Sequence, residues 1–444
     1  MSLIVPELGG HVSRIIRIPS QVNVSVTPRV MRLVDSPQMQ RLRQLSQLGL
    51  VSRVYPGASH SRFEHSLGVF HLAQQVALHL LSSDERFADE VTAKDIELFL
   101  AAALLHDIGH WPYCHPIEDM GLDWVPRHES MAVENLSANA ISQLLSSDWS
   151  LSPEEIVSFL SKPDPAARPT ARGVLQNVLN GPVDVDKMDY LQRDSLHAGV
   201  PYGSNFDQPR LIASLCVNWA DGSLALRSKG KTAAEMLVFS RYVMFSEVYW
   251  HHAVRSGTAM LQRLVFETQA ELRERGAPNT WKDETDATFH DGIVGIAARS
   301  ESLQTLAAGL FGTKRRFFKR IGQFTFAEAP EIHTTLRGRS YSQLVSASQH
   351  LAELLSSALG KVIRPTDVLI DAPPQKLEVQ FRVAVKRAQT ADFIALSEVS
   401  PVVNSLATSQ FDNFVKQVRV FVNPDLVHPS DVSNQRVAEM LVQL

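Results

Sequence analysis

Cysteine is nearly missing from this chain: 444 residues carry two, Cys114 and Cys216. Two cannot build a disulfide framework, and no CxxC pair is present to hold a structural zinc. Positive charge is not in excess either. The 43 lysines and arginines stand against 47 acids, a formal net charge of -4, which argues against a generally basic nucleic-acid binder but leaves room for local basic patches. No apolar run approaches the roughly 18 residues that cross a bilayer. The N-terminal MSLIVPELGGHVSRIIRIPS has no charged segment followed by an apolar core, so no signal peptide is expected and the cytoplasm is the expected address. A phosphate-cradling GxxxxGK[ST] loop, a GxSxG nucleophile elbow and a calcium loop of the EF-hand kind are all missing. Internal repeats and low-complexity stretches are missing too.

What is present reads as an ordinary globular protein, 44% hydrophobic and 20% charged, too long for one typical core. The pattern is mainly helical over the first two thirds. An extended, β-leaning start (Val22, Val24, Val26) gives way to helix-start signals at Thr27-Pro28 and again at Asp35-Ser36-Pro37. Met39, Leu42, Leu45 and Leu48 then recur at three-residue steps, read here as helix. Tyr55-Pro56-Gly57 makes a turn, apolar positions from Leu67 to Leu80 predict a long helix, and Ala93 to Leu105 predicts another. Ser152-Pro153-Glu154-Glu155 starts a further helix, Lys162 to Pro169 a Pro-rich loop, residues 200 to 230 a hairpin around Leu224 and Leu226, and 232 to 272 one long helix. Beyond about residue 285, short β-rich runs (Phe317-Phe318, Phe324 to Phe326, Val368 to Ile370, Val379 to Val385, Val418 to Val422) alternate with helical segments at 299 to 310 and 340 to 360. The expected division is therefore a helical core, 1–284, and a smaller C-terminal α+β lobe with an antiparallel sheet, 285–444. Lys314-Arg315-Arg316 is expected to be a solvated face.

The chemistry concentrates in Leu104 to Glu118, LLHDIGHWPYCHPIE. A buried apolar run ends in His106-Asp107, and His110 lies four residues on, sharing a helical face with His106. Burying so many titratable groups without partners is costly, so a metal site is the economical reading. His65, opening the preceding long helix, supplies a third ligand, and Arg62 one turn before it suits an anionic substrate. A second motif, Val183 to Asp194 (VDVDKMDYLQRD), follows the Gly181-Pro182 break. One carboxylate from it, Asp186, completes a two-His, two-Asp set with open coordination positions. Such a set polarises a phosphoryl oxygen and activates water, while Arg62, Lys187 and Tyr249 neutralise a polyphosphate. His110, His115 and His128 are candidates for proton transfer. Imidazole and carboxylate ligands accept Fe, Mn, Mg, Zn or Ni, so the expected cofactor is a divalent ion of unspecified identity.

His65, His106-Asp107 and Asp186 resemble the H…HD…D ligand set of the HD phosphohydrolase superfamily. PGASHSRFEHSLGV, LLHDIGHWPYCH and DVDKMDYLQRD resemble, more narrowly, the dNTP triphosphohydrolases, which include the vertebrate SAM-and-HD-domain enzyme and bacterial dGTPase-like members. The likeness runs from about residue 12 to the VRVFV strand, weakens after 260, and does not include a SAM domain. It implies a mainly helical fold, hydrolysis of a deoxynucleoside triphosphate to deoxynucleoside plus tripolyphosphate, and a homo-oligomer, dimer or tetramer. By position, His65, His106, Asp107 and Asp186 match metal ligands; Arg62, Lys187, Arg241 and Tyr249 match triphosphate contacts. His110, His115 and His128 match catalytic histidines, with His115 expected to protonate the 5′ oxygen, and Glu118 stands where a histidine-orienting Asp is common. Gln47 and Asp194 match the pair holding the sugar 3′-OH, and Tyr190 the residue that crowds the 2′ position. Asp35, Gln40 and Arg43 match positions that bind an activating guanine nucleotide (GTP or dNTP activation) in regulated members.

Two departures stand out. Tyr249-Trp250-His251-His252 replaces Tyr-x-His-Lys, and the N-terminal DPxHG signature is absent, Ile18 to Val22 reading IPSQV. The nearest rival is an HD enzyme acting on a nucleoside monophosphate or signalling nucleotide. The rival from another class is a nucleotide- or nucleic-acid-binding regulator with little catalysis.

Overall fold

The computed structural model describes residues 5–9, 14–161, 168–373, 383–387 and 392–444. The chain opens on an antiparallel hairpin, β1 (Arg14–Ile18) against β2 (Val22–Val26). Its turn places Ser20 and Gln21 at positive φ. Thr27 caps α1 (Pro28–Val34) and Ser36 caps α2 (Pro37–Arg41), each with proline in the first turn. The three-residue step through Met39, Leu42 and Leu45 is not a continued α-helix. The helix ends at Arg41, Leu42–Gln44 forms a 3₁₀ turn, and Leu45 is already extended. A strict period of three is the 3₁₀ repeat, and those side chains are buried by tighter winding.

The helical core is built on α3 (Arg62–Ser83), followed by the short α4 (Glu85–Glu90) and by α5 (Ala93–Leu105). Thr92 and Asp95 form a reciprocal cap that starts α5 at the expected place. From Leu98 to Leu105 every residue of α5 is fully buried, because α3, α9 and α10 cover it. The short α6 (Cys114–Glu118), α7 (His128–Ser137), α8 (Asn139–Trp149), α9 (Pro153–Leu160) and α10 (Ala171–Asn180) lead to α11 (Val185–Ala198), which packs on α3. Asp184 caps α11, and Gly199 ends it in the left-handed conformation.

After α12 (Gln208–Ala213) comes the expected hairpin, β3 (Leu215–Asn218) with β4 (Ser223–Arg227). The single long helix expected from 232 to 272 is instead three pieces. These are α13 (Lys231–Met244), α14 (His252–Glu267) and α15 (Gln269–Glu274). A π-helical turn over Phe245–Tyr249 ends α13, and the His251 side chain caps α14 by accepting from the Ala253 N–H. The apolar periodicity carried across this break because Met244, Val248 and Val254 are buried on both sides of it. A wide turn of this kind often marks a functional position.

The remainder includes α16 (Asp286–Ala297), α17 (Glu301–Phe311), α18 (Pro330–Leu336) and α19 (Tyr341–Leu359) around an antiparallel sheet. Its strands are β5 (Lys319–Phe324), β6 (Val368–Asp371) and, in the middle, β9 (Val418–Val422). Between β6 and β9 in sequence, β7 (Ala384–Lys386) runs parallel to β4 and pairs with β8 (Phe393–Ala395), so a strand from beyond 285 completes the sheet begun at Leu215. Phe317-Phe318 and Thr325-Phe326 lie outside the strands, and most of the expected Val379 to Val385 strand falls outside the described residues.

One ion pair ties α14 to this C-terminal sheet. Arg255 donates to both carboxylate oxygens of the buried Asp371, at 3.0 and 2.5 Å. Arg255→Ala would strand that carboxylate, so urea unfolding is expected to show a loss of about 3–5 kcal/mol. A loss under 1 kcal/mol would mean water already serves Asp371.

Candidate metal centre and catalytic cleft

The last turn of α5, the first of α3 and the first of α11 meet at one point. His65 Nε2 and His106 Nε2 face each other at 3.2 Å. Asp186 Oδ1 is 3.0 Å from the first and 3.9 Å from the second, and Asp107 Oδ1 is 3.4 Å from His106 Nε2. Both imidazoles are turned the same way by their other nitrogen. His65 Nδ1 is 2.8 Å from Asp189 Oδ2 and His106 Nδ1 is 3.0 Å from the Ala103 carbonyl, so the proton sits on Nδ1 and the Nε2 lone pairs converge. Two lone pairs opposed at this distance repel unless a cation or proton lies between them. Edges of 3.0 to 3.9 Å suit donors about 2.1 Å from a shared divalent ion. The donor set thus fits a divalent metal: His65, His106 and Asp107 can hold the ion, and Asp186 stands beside them. Burial works against a charge on His65, yet its bonds to Asp186 and Asp189 dominate and raise its pKa to about 10.

Behind these residues lies a buried ionic chain of which the sequence motifs singled out only Asp194 and Tyr249. Arg193 grips both oxygens of Asp189, at 2.7 and 2.8 Å, and donates to Glu64 at 2.6 Å. Glu64 also bonds His197 at 2.8 Å, and the His197 ring stacks on His60 at 4.3 Å. His60 Nε2 reaches Asp194 Oδ1 at 3.0 Å, and Tyr249, at the end of the π turn, donates to the other oxygen of Asp194 at 2.5 Å. Asp189 and Arg193 are four apart, a signal that the acid cluster contained but that does not say what the pair faces. His60 and His197 offered no signal, since their partners lie on other elements.

Beside the metal centre three imidazoles crowd together. His110 Nε2 is 3.3 Å from His115 Nε2, and the rings of His110 and His128 lie 4.1 Å apart. Glu118 accepts from the backbone N–H of His128 at 2.6 Å and pairs with its Nδ1 at 2.9 Å. Burial first, then the cationic Arg62, hold His110 well below the imidazole range. His115 is pushed down too, by burial first and then by Arg62 and His128, but 56% of its side-chain surface is open to solvent, which weakens the burial contribution.

Not every expected contact points into the cleft. Arg62 is buried and bonds Asp107 Oδ2 at 3.0 Å. Lys187 turns back onto Asp184 and the Gly181 carbonyl. Arg241 on α13 lies 5.6 Å from the centre of the Phe245 ring. Asp186, Tyr190 and Asp194 are spaced by four and share one face of α11. Gln47 presents a buried side-chain oxygen with no hydrogen-bond partner among the described residues, and its N–H bonds the His60 carbonyl. Away from the cleft, Gln40 bonds the Val34 carbonyl, Arg43 bonds Gln40 and covers the Phe63 ring, and the exposed Asp35 ends α1.

A helical core with a two-His, two-carboxylate cluster defines a metal-dependent hydrolase type of site. The HD domain matches residues 62–194 and the HD associated region residues 206–440, so the chain belongs to the HD phosphohydrolase family. An uncharacterized protein of Methanocaldococcus jannaschii is 32% identical over 59% of this chain and 51% of its own length. The deoxynucleoside triphosphate triphosphohydrolase SAMHD1 of Gallus gallus is 34% identical over 45% of this chain and 36% of its own. The chain thus spans about half the length, or less, of these curated relatives. In structure it resembles a hypothetical protein from Aquifex aeolicus, with TM-score 0.69, 26% identity, and coverage of 96% and 99% of the two chains. HD domains bind divalent metals, in agreement with the donor set. Among the described residues no helix is long and apolar enough to cross a membrane.

Proposed function

We propose that this chain hydrolyses deoxynucleoside triphosphates to deoxynucleoside and tripolyphosphate, with His65, His106, Asp107 and Asp186 as metal ligands. The observation that carries the reading is the convergence of two Nε2 lone pairs and two carboxylates beside a cluster of three histidines. A bound divalent ion supplies Lewis acidity toward a phosphoryl oxygen and an activated water. His115 delivers the proton to the 5′ oxygen, and His110 and His128, the latter oriented by Glu118, hold it in place. The negative charge of a bound triphosphate would favour a proton on His115, against the opposing pull of Arg62 and His128. Arg62, Lys187, Arg241 and Tyr249 take the phosphates, with Lys187 leaving Asp184 to do so. Gln47 and Asp194 take the 3′-OH, which would satisfy the orphaned Gln47 oxygen, and Tyr190 excludes a 2′-OH.

The same reading assigns an activating GTP or dNTP to Asp35, Gln40 and Arg43, in a cytoplasmic homo-oligomer; each protomer divides at 284/285 except that β7 and β8, from beyond that point, join the sheet of β3 and β4. The deciding experiment is ³¹P NMR of metal-supplemented protein with each dNTP, alone, in mixture and with GTP. Tripolyphosphate is the expected product, and orthophosphate or pyrophosphate alone would move the assignment to a monophosphate or signalling nucleotide.

Glu118→Gln keeps the oxygen that accepts from the His128 backbone but removes the charge that orients its ring. A ten- to hundredfold fall in kcat is expected, on the order of the loss of one orienting carboxylate. KM should stay within about twofold. An unchanged kcat would remove His128 from the catalytic group.

A further inference from the structure

The segment that carries His110 and His115 is pinned at both ends. Arg41 donates to the carbonyl of His110 at 2.7 Å and Asn135 to that of Ile108 at 2.8 Å, which fixes its start. Its far end turns on Tyr113, which has φ 55° and ψ 30°. This is the left-handed region, which a bulky L residue rarely occupies without being held there. The turn matters because α6 begins with the next residue: Cys114 goes into the core and His115 faces His110.

What holds Tyr113 comes from outside the matched HD region. Its hydroxyl bonds Nε2 of His290 on α16, and the two rings stack with centroids 5.5 Å apart. The His290 ring stacks in turn on Phe311 at 4.2 Å. Across the Tyr113 ring lies Gly49, where an added Cβ would come within 3.1 Å of it. The first residue of α16 and the segment just before it make two more contacts with the core: Asp286 accepts from the Ser46 N–H at 3.0 Å and the Glu284 carbonyl from Arg41 at 3.0 Å. His290, half-buried, has its pKa lowered to about 4 by burial and by Arg53, so a neutral Nε2 is available to accept the phenol proton.

We propose that Tyr113 and His290 are positioning residues for His115: their hydrogen bond locks the left-handed turn that aims the His115 ring into the cleft. The proposal rests on the reading of His115 as proton donor. It ties the C-terminal region to the catalytic apparatus through α16.

Tyr113→Phe removes the hydroxyl alone, and His290→Gln retains an acceptor at nearly the same reach. With the dNTP that the wild type hydrolyses best, Tyr113→Phe is expected to lower kcat about tenfold, KM and Mn²⁺ affinity staying within twofold. His290→Gln should keep most of kcat while His290→Leu loses it. In a His115→Ala background the Tyr113→Phe change should cost less than twofold more, because the partner it acts through is gone. A kcat for Tyr113→Phe within twofold of wild type, or a loss that adds in full to His115→Ala, would overturn the proposal.

If wild-type protein releases no tripolyphosphate, the triphosphohydrolase reading has failed, and the positioning is then read chemically. Carbethoxylation of His115 by diethylpyrocarbonate, followed by mass spectrometry, should run at least threefold faster in Tyr113→Phe. An unchanged rate would sink the positioning claim on its own.

Discussion

Replacing His65 with alanine is expected to abolish both tight Mn²⁺ binding and measurable turnover while the protein still folds. Three features make this the largest single effect in the chain. In the proposed ligand set His65 is one of two imidazole donors, and its Nε2 lies within 3.2 Å of both His106 and Asp186. Without it the remaining donors are spread around an incomplete shell. A divalent ion at a phosphoryl group supplies several kcal/mol of transition-state stabilisation, so losing about 4 kcal/mol lowers kcat/KM roughly 10³-fold.

The same variant separates the two classes of reading. A regulator that uses the cleft only to bind nucleotide would keep its affinity for the organic part of the ligand. Equilibrium dialysis with a metal assay, beside the ³¹P time course, reads both quantities. Turnover within tenfold of wild type would exclude His65 as a ligand and the metal mechanism with it.

How much of this site could be read from the chain depends on where each residue's partners lie. His106-Asp107 was legible because an apolar helix, fully buried from Leu98 to Leu105, ends by delivering two polar side chains where burial without partners is costly. His65 and Asp186 were legible because each opens a helix next to a recognisable turn. Asp189 was visible only as one acid of a cluster. Its bond to His65 spans 124 positions of sequence, and the contact of Arg193 with Glu64 spans 129. No local period encodes such pairs.

The fold divides along the same line. The cap at Ser152 acts within one helical turn and stood where the sequence placed it, and α5 starts at Ala93 as its apolar run predicted. The break between α13 and α14 did not, because buried side chains continue across the π turn and keep the apolar rhythm intact. The parallel pairing of β4 with β7 joins residues 225 and 384, and only the packed structure reveals it.

Gly68 shows what such hidden pairs imply for a residue with no chemistry of its own. It lies on α3 one turn after His65, and a Cβ built on it would fall 1.9 Å from Asp189 Oδ1 and 2.3 Å from Arg193 Nη2. These are separations no atoms tolerate, and both groups are fixed, Asp189 by His65 and Arg193 by Glu64. Gly68→Ala should therefore push the Asp189–Arg193 pair away from α3 and release the Nδ1 of His65. Overpacking a buried site by one methyl costs about 1–3 kcal/mol, so thermal unfolding should shift down by several degrees. Losing the carboxylate that orients a ligating histidine costs about 10–100-fold in metal affinity or activity. The expected signature is thus a variant that folds, binds Mn²⁺ weakly, and regains much of its kcat at high Mn²⁺. His65→Ala would not regain it, since there a donor is gone and not merely misdirected. If Gly68→Ala loses stability but keeps wild-type metal affinity, then Asp189 and Arg193 serve packing alone, and the tautomer of His65 is fixed without them.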